Sequence, residues 1–285
     1  MHRSLILALL LALVAGISLA QVKNADPLPS EDTVNAFMQQ TFGYDSTITW
    51  NVASIKPSIA QGLAEVNVVV TNSQGQSAMT LYVTADGKHA MTGEILPFGA
   101  KPYAPAHEAL LKGAIGPSKG PAKATATIVE FSDLQCPHCK EAQPTVEKLL
   151  AEEPNARFVF QQFPLPMHNW AAKAAEYADC VGRTSNEAFW KFVDGTYAEQ
   201  ANITESNADE KLTEIADKSG VKGSDMATCA AKADTKTRID QSIALGQAVG
   251  VAGTPTLFIN GRRIGNVAQV PMEILKGLVE FAAKQ

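Results

Sequence analysis

Residues 128–150 read IVEFSDLQCPHCKEAQPTVEKLL, with Cys136-Pro137-His138-Cys139 at the centre. The run TATIVEFSD (125–133) is nearly continuous in apolar and β-branched residues, the pattern of a strand buried on both faces. After the tetrad the pattern becomes helical, and Pro137 suits a first helical position. Cys136 therefore stands at a helix N-terminus, where unpaired backbone N–H groups and the positive end of the helix dipole stabilise a thiolate. His138, when protonated, adds to this. Cys136 reads as the attacking, exposed thiol and Cys139 as the more buried thiol that resolves a mixed disulfide.

Two other chemistries are open to paired cysteines, and both fit worse. A structural zinc site usually brings a second close pair of Cys or His. Here Cys180 and Cys229 are far apart in the chain and His168 stands alone on a loop. A structural 136–139 disulfide closes too short a ring to restrain the unfolded chain much. Redox exchange is the reading that remains.

Outward from the tetrad, ARFVFQQFPL (156–165) reads as a second buried strand and 168–248 as a long helical block. TLFI and RRIG flank Asn260-Gly261, a hairpin signal, and a helix over 271–284 closes the chain. The order from residue 125 to 285 is that of an α/β unit around a central sheet. Residues 30–98 differ. SEDTVNAFMQQTFG (30–43) has helical spacing with Ser30 as N-cap, and four alternating segments between 47 and 95 predict an antiparallel meander. Asp86-Gly87 predicts a two-residue turn there. This small α+β domain holds no clustered acid, base or nucleophile, and His89 reads as surface decoration. The Pro-, Gly- and Ala-rich stretch 99–124 reads as a linker with a helical middle.

The first twenty residues have a basic start, an apolar run from Leu5 to Ile17 and small residues up to Ala20, the layout of a secretory signal peptide cleaved after Ala20. The apolar run is shorter than a spanning helix needs. Export places the chain where disulfides persist. The remaining 265 residues, in a chain 46% hydrophobic, suit one large domain or two smaller ones. A net charge of −5 gives no footprint for nucleic acid, and no repeat is visible.

Residues 125–285 resemble the DsbA family of thioredoxin-fold disulfide oxidoreductases, whose own tetrad is Cys-Pro-His-Cys. Glu130 falls where that family keeps a buried acid, Pro144 where it has a helix-kinking proline, and 168–248 matches its inserted helical domain. Thr254-Pro255 matches its cis-proline loop. The resemblance implies that Glu130 shuttles a proton to and from Cys139, and that the Thr254 backbone pairs with an extended client peptide. Glu130 as a solvated strand end and Pro255 as an ordinary trans turn are the plainer readings. The resemblance and the oxidising compartment together imply a second, non-catalytic disulfide between Cys180 and Cys229, with two free buried cysteines as the alternative.

TLYVTADGKHAMTGEI (80–95) is similar to a strand pair in the dimerisation domain of the DsbC and DsbG isomerases. That implies a homodimer through residues 30–98, against an accessory domain that packs on its own chain. The family likeness implies an oxidase acting on unfolded or partly oxidised exported proteins. No flavin or nicotinamide fingerprint is present, so no cofactor is expected, and a membrane reoxidase of the DsbB or VKOR type would remove the electrons. The alternatives are a dimeric isomerase or reductase, a peptide-binding chaperone without turnover, and a glutathione-dependent enzyme that needs only the first cysteine.

Overall fold

The computed structural model describes residues 28–42, 45–72, 75–93, 95 and 101–285. The signal-peptide reading of residues 1–20 lies outside them. The chain divides into two compact units, 1–93 and 94–285.

The first unit is a helix on a sheet. Ser30 Oγ accepts the Thr33 N–H at 3.2 Å, and Glu31 and Asp32 favour the positive end of helix α1, Glu31–Phe42. Strands β1 (Thr49–Pro57), β2 (Leu63–Asn72), β3 (Gly75–Thr84) and β4 (Ala90–Thr92) form an antiparallel meander in sequence order. The strand period of two turns Val66, Val68 and Val70 to the face where Val34 and Met38 of α1 are buried. The Asp86-Gly87 turn differs from its expected form. Val83 pairs with Ala90 and Thr84 N donates to His89 O, which leaves four loop residues rather than two. The Asp86 carboxylate causes this by accepting from both Thr84 Oγ1 and Lys88 N.

The second unit opens with α2 (Ala104–Gly113) and β5 (Ser118–Lys119): the helical middle read in 99–124 is α2, and the linker role gives way to packing on the sheet. Leu110 of α2 is buried with Val129 and Phe131, and β5 pairs with β7 (Arg157–Gln162) at the sheet edge. The glycine content that suggested a linker serves close approach instead. A Cβ on Gly116 would stand 1.7 Å from the Phe160 carbonyl, so no other residue lets the chain run so near β7.

Strand β6 (Thr127–Ser132) lies at the centre of a five-stranded sheet of order β5-β7-β6-β8-β9, where β8 is Thr256–Ile259 and β9 Arg262–Ile264. β6 and β7 run parallel, and the other pairs are antiparallel. Every β6 side chain is buried, because helices cover both faces. Ile128 belongs to the larger core with α3 (Pro137–Glu152), and Val129 and Phe131 to the core beneath α2. Helix α3 runs on through Pro144. Asn260 and Gly261 take φ of 42° and 83°, the left-handed pair that a two-residue hairpin requires.

Between β7 and β8 come α4 (Ala171–Thr184), α5 (Asn186–Glu199), α6 (Ala208–Ser219), α7 (Gly223–Ala230) and α8 (Ala233–Ala248); α9 (Met272–Ala282) closes the chain. A disulfide joins Cys180 of α4 to Cys229 of α7 across 49 residues. Closing a loop of that length restricts the unfolded chain by about 4 kcal/mol in the chain-entropy model. The Cys180→Ser, Cys229→Ser double variant should therefore unfold at lower urea, by about that free energy, and still exchange disulfides. Equal stability with the disulfide removed would contradict the entropic account.

Candidate active site

The tetrad sits where β6 gives way to α3. Cys136 is extended at φ −71°, ψ 122° and forms the helix cap, with Pro137 at the first helical position. The N–H groups of Cys139 and Lys140 donate to the Cys136 carbonyl at 3.2 and 3.3 Å. Gln200, just after α5, donates its amide to the carbonyls of Leu134 and Cys136 at 3.0 and 3.1 Å. Asp133, buried to 1% exposure, holds the preceding loop. Its carboxylate accepts the N–H groups of Gln135 at 2.7 Å and Leu165 at 2.8 Å, and His168 Nδ1 lies 2.7 Å away. His168, which the sequence leaves alone on a loop, thus braces the tetrad loop through Asp133.

The Thr254–Pro255 peptide is cis and brings its loop against the dithiol. The Cys136 thiol donates to the Thr254 carbonyl at 3.4 Å. This contact corrects the expected exposure of Cys136, which is 4% exposed, while Cys139 is fully buried. The cover comes from a residue 118 positions away, beyond the reach of local pattern. Beside the dithiol a groove of about 550 Å³ is lined by His138, Glu141, Thr254, Pro255, Arg263 and the 265–269 loop.

The two sulfurs differ in acidity. The Cys139 thiol donating to the Cys136 sulfur, joined by the Thr254 side chain and the N–H groups of Cys139 and His138, brings Cys136 from 9.0 down to about 6 against the upward push of burial. Burial first, then the hydrogen bond to Cys136 and the negative charge of that sulfur, drive Cys139 well above 9.0. The His138 contribution is its backbone N–H. Its imidazole stands out in solvent, 3.1 Å from Glu141 Oε2, so the expected help from a protonated ring is replaced by a backbone hydrogen bond. Thiolate absorbance of the reduced protein should therefore titrate in one step near pH 6, with Cys139 silent through pH 9. A first inflection near 9 would contradict this geometry.

Glu130 lies on β6 beneath the pair, fully buried, which removes the solvated strand-end reading. Among the described residues neither of its carboxylate oxygens has a hydrogen-bond partner. Burial raises its carboxyl from 4.5 to about 7, and the Ser132 hydroxyl opposes the rise. Among the described residues no group of three or more His, Cys, Asp or Glu could hold a metal ion. The structure thus gathers Cys136, Pro137, Cys139, Glu130, Thr254 and Pro255, turns the His138 ring outward, and keeps Cys180 and Cys229 apart as a pair in the helical layer. Sequence reasoning passed over Asp133, Tyr197 and Gln200. Only the acid inside an apolar run, at Asp133, carried a readable signal.

A cis-proline loop facing a Cys-X-X-Cys pair at the head of a helix, on this sheet order, defines a thioredoxin-fold dithiol protein. The family model described as Thioredoxin matches residues 115–279, and the chain belongs to that family. The matched segment begins just before β5, inside the stretch 99–124. The chain is 33% identical over 157 residues to the Na(+)/H(+) antiporter NhaA 1 of Salinispora arenicola; this covers 51% of the chain and 22% of that protein. It thus spans about a fifth of that relative's length. Among the described residues no helix here is long and apolar enough to cross a membrane. Disulfide bond formation protein D of Bacillus subtilis is 24% identical over 159 residues, covering 53% of the chain and 71% of that protein. The crystal structure of oxidised BdbD from Bacillus subtilis superposes with a TM-score of 0.54 at 22% identity, covering 61% of the chain and 95% of its own. The fold is that of the DsbA- and BdbD-type thiol-disulfide oxidoreductases.

Proposed function

We propose that this protein is an exported thiol:disulfide oxidase that transfers the Cys136–Cys139 disulfide to client proteins. The observation that carries the reading is the placement of two sulfurs at one helix N-terminus, Cys136 Sγ meeting the Thr254 carbonyl of the cis-proline loop at 3.4 Å and Cys139 fully buried, an arrangement that pushes the pKa of the first down and of the second up. A client thiolate attacks Cys136 Sγ, breaks the Cys136–Cys139 bond and releases Cys139 as a thiolate, which takes a proton. A second client thiolate then attacks its own sulfur in the mixed disulfide and releases Cys136 as the stable thiolate. The client loses two electrons and the protein gains two. Stabilising the Cys136 thiolate stabilises the reduced form, and that makes the disulfide the stronger oxidant. Glu130 supplies the proton to Cys139, the Thr254 backbone aligns an extended client along the groove, and Cys180–Cys229 is structural.

The partners of this reading are unfolded or partly oxidised exported proteins and a membrane reoxidase of the DsbB or VKOR type. A dimeric isomerase is the second reading, and the separate helix-on-sheet unit favours it, because a two-fold pairing of that unit would give one molecule two dithiols. Two assays on one preparation separate them: oxidation of a reduced client, and refolding of a client with scrambled disulfides. Oxidation well above that of glutathione disulfide alone is expected. A dimer that unscrambles well but oxidises no faster than glutathione disulfide would overturn the oxidase reading.

A further inference from the structure

Beneath the dithiol, two buried hydroxyls meet that the exchange chemistry has not used. Tyr197 reaches down from α5 of the helical layer, 4% exposed, and its Oη lies 3.0 Å from Ser132 Oγ, which is fully buried. A phenol in an apolar core keeps its hydroxyl only at a cost unless that hydroxyl is bonded. Ser132 is two residues after Glu130 on β6, so both side chains leave the sheet on the same face, towards α3 and α5. The end of β6 also abuts Cys139, since the Asp133 N–H donates to Cys139 Sγ at 3.4 Å. The same face holds Gln162, which pairs with Ser132 across the parallel register. Among the described residues both Gln162 amide atoms and both Glu130 oxygens lack hydrogen-bond partners. Unpaired buried polar groups therefore concentrate around the one serine.

We propose that the Ser132 hydroxyl carries the proton between Glu130 and Cys139, and that Tyr197 is a positioning residue that holds this hydroxyl in place from the helical layer. This rests on the exchange reading above. When client attack on Cys136 releases Cys139 as a thiolate, the Ser132 O–H gives its proton to Cys139 Sγ, and Ser132 Oγ takes the proton of the Glu130 carboxyl. The products are a Cys139 thiol, an intact serine and a Glu130 carboxylate, with no change in electron count beyond the exchange itself. Tyr197 donates to a lone pair of Ser132 Oγ and so leaves the serine's own hydrogen free to turn.

The electrostatics agree with these roles. On the same face of β6 as Glu130, and next to the residue whose N–H meets Cys139 Sγ, the Ser132 hydroxyl opposes the upward push of burial on both groups, while among the described residues neither Glu130 oxygen is hydrogen-bonded in the resting geometry. Burial, then the negative charges of Cys139 and Glu130, drives the Tyr197 phenol well above 10.0, so it stays protonated as a fixed donor. The titratable groups facing this point are Glu130 and Asp133 from β6 and its end, Cys136 and Cys139 from the head of α3, and Tyr197 from α5. Across the sheet Glu130 is flanked by Phe160 of β7 and Leu257 of β8, neither of which titrates.

The test is stopped-flow reduction of the oxidised full chain by dithiothreitol from pH 5 to 9, with rates corrected for the reductant's thiolate fraction. The wild-type profile should inflect near the Glu130 value of about 7. Ser132→Ala should slow the reaction about tenfold or more and flatten that inflection, as loss of a proton donor does. Tyr197→Phe should slow it by a smaller factor and displace the inflection. Ser132→Thr, which keeps the hydroxyl, should restore both rate and profile, and the Cys136 thiolate titration should be the same in all four proteins. Wild-type rate and profile in Ser132→Ala would overturn the proposal. So would a Ser132→Thr variant as slow as Ser132→Ala, because that outcome assigns the serine to packing. A wild-type disulfide reduced no faster than that of a short unstructured peptide would instead sink the exchange reading itself.

Discussion

Cys136→Ala is expected to abolish client oxidation, with a loss on the order of 10³-fold or more, since no other described thiol is free except the buried Cys139. Cys139→Ala is expected to fail differently. The Cys136 nucleophile remains, but the resolving thiol is gone, so a client disulfide attacked by Cys136 stays joined to it. Non-reducing gels should then show a mixed-disulfide band that Cys136→Ala lacks. The asymmetry follows from geometry. Cys136 meets the cis-proline loop through Thr254, while Cys139 lies fully buried within the first turn of α3. Two variants with equal losses and no trapped species would contradict the assignment of attacking and resolving thiols. They would also bring back the chaperone reading if client binding survived in both.

Glu130→Gln is expected to make the protein more stable at high pH while making it a slower catalyst. The carboxyl has a folded pKa of about 7 against 4.5 when exposed, so the folded protein keeps a proton that the unfolded chain releases between those values. The contribution is therefore fully present below pH 4.5 and is lost as pH rises through 7. The 2.5-unit difference amounts to about 3 kcal/mol as an upper figure. Urea unfolding of oxidised wild-type protein should show a decline of that order between pH 5 and 8.5, with this portion absent in Glu130→Gln. Parallel pH profiles for the two proteins would mean that Glu130 is not held as a buried acid.

Much of this site was legible because its central features are local. A β-branched run, a cysteine, a proline at the first helical position and a second cysteine three residues after the first fix the strand-to-helix junction at Cys136 without tertiary information. Asn260-Gly261 was equally plain, since few residues tolerate two successive positive φ values. The misreadings share a cause. Gly116 signals close approach to Phe160 as readily as it signals a linker, and only the neighbouring strand decides which. Asp86-Gly87 became a four-residue loop because the aspartate side chain took over the hydrogen bonding of the turn. Cys136 looked exposed because its cover is Thr254, and its carbonyl is capped by Gln200, both far along the chain. Tyr197, Gln200 and His168 each enter the site as single polar residues from the helical region or a loop, and one residue makes no period.

The central claim is that the fold holds Cys136 as a stabilised thiolate and thereby makes its disulfide an oxidant. The most direct measurement is the reduction potential of the Cys136–Cys139 pair, from equilibration of the full chain in glutathione buffers at pH 7. The account predicts a value at or above about −180 mV, in the range of protein disulfide isomerase and stronger oxidants. A value near about −270 mV, where thioredoxin lies, would contradict it and make the protein a reductant on the same fold.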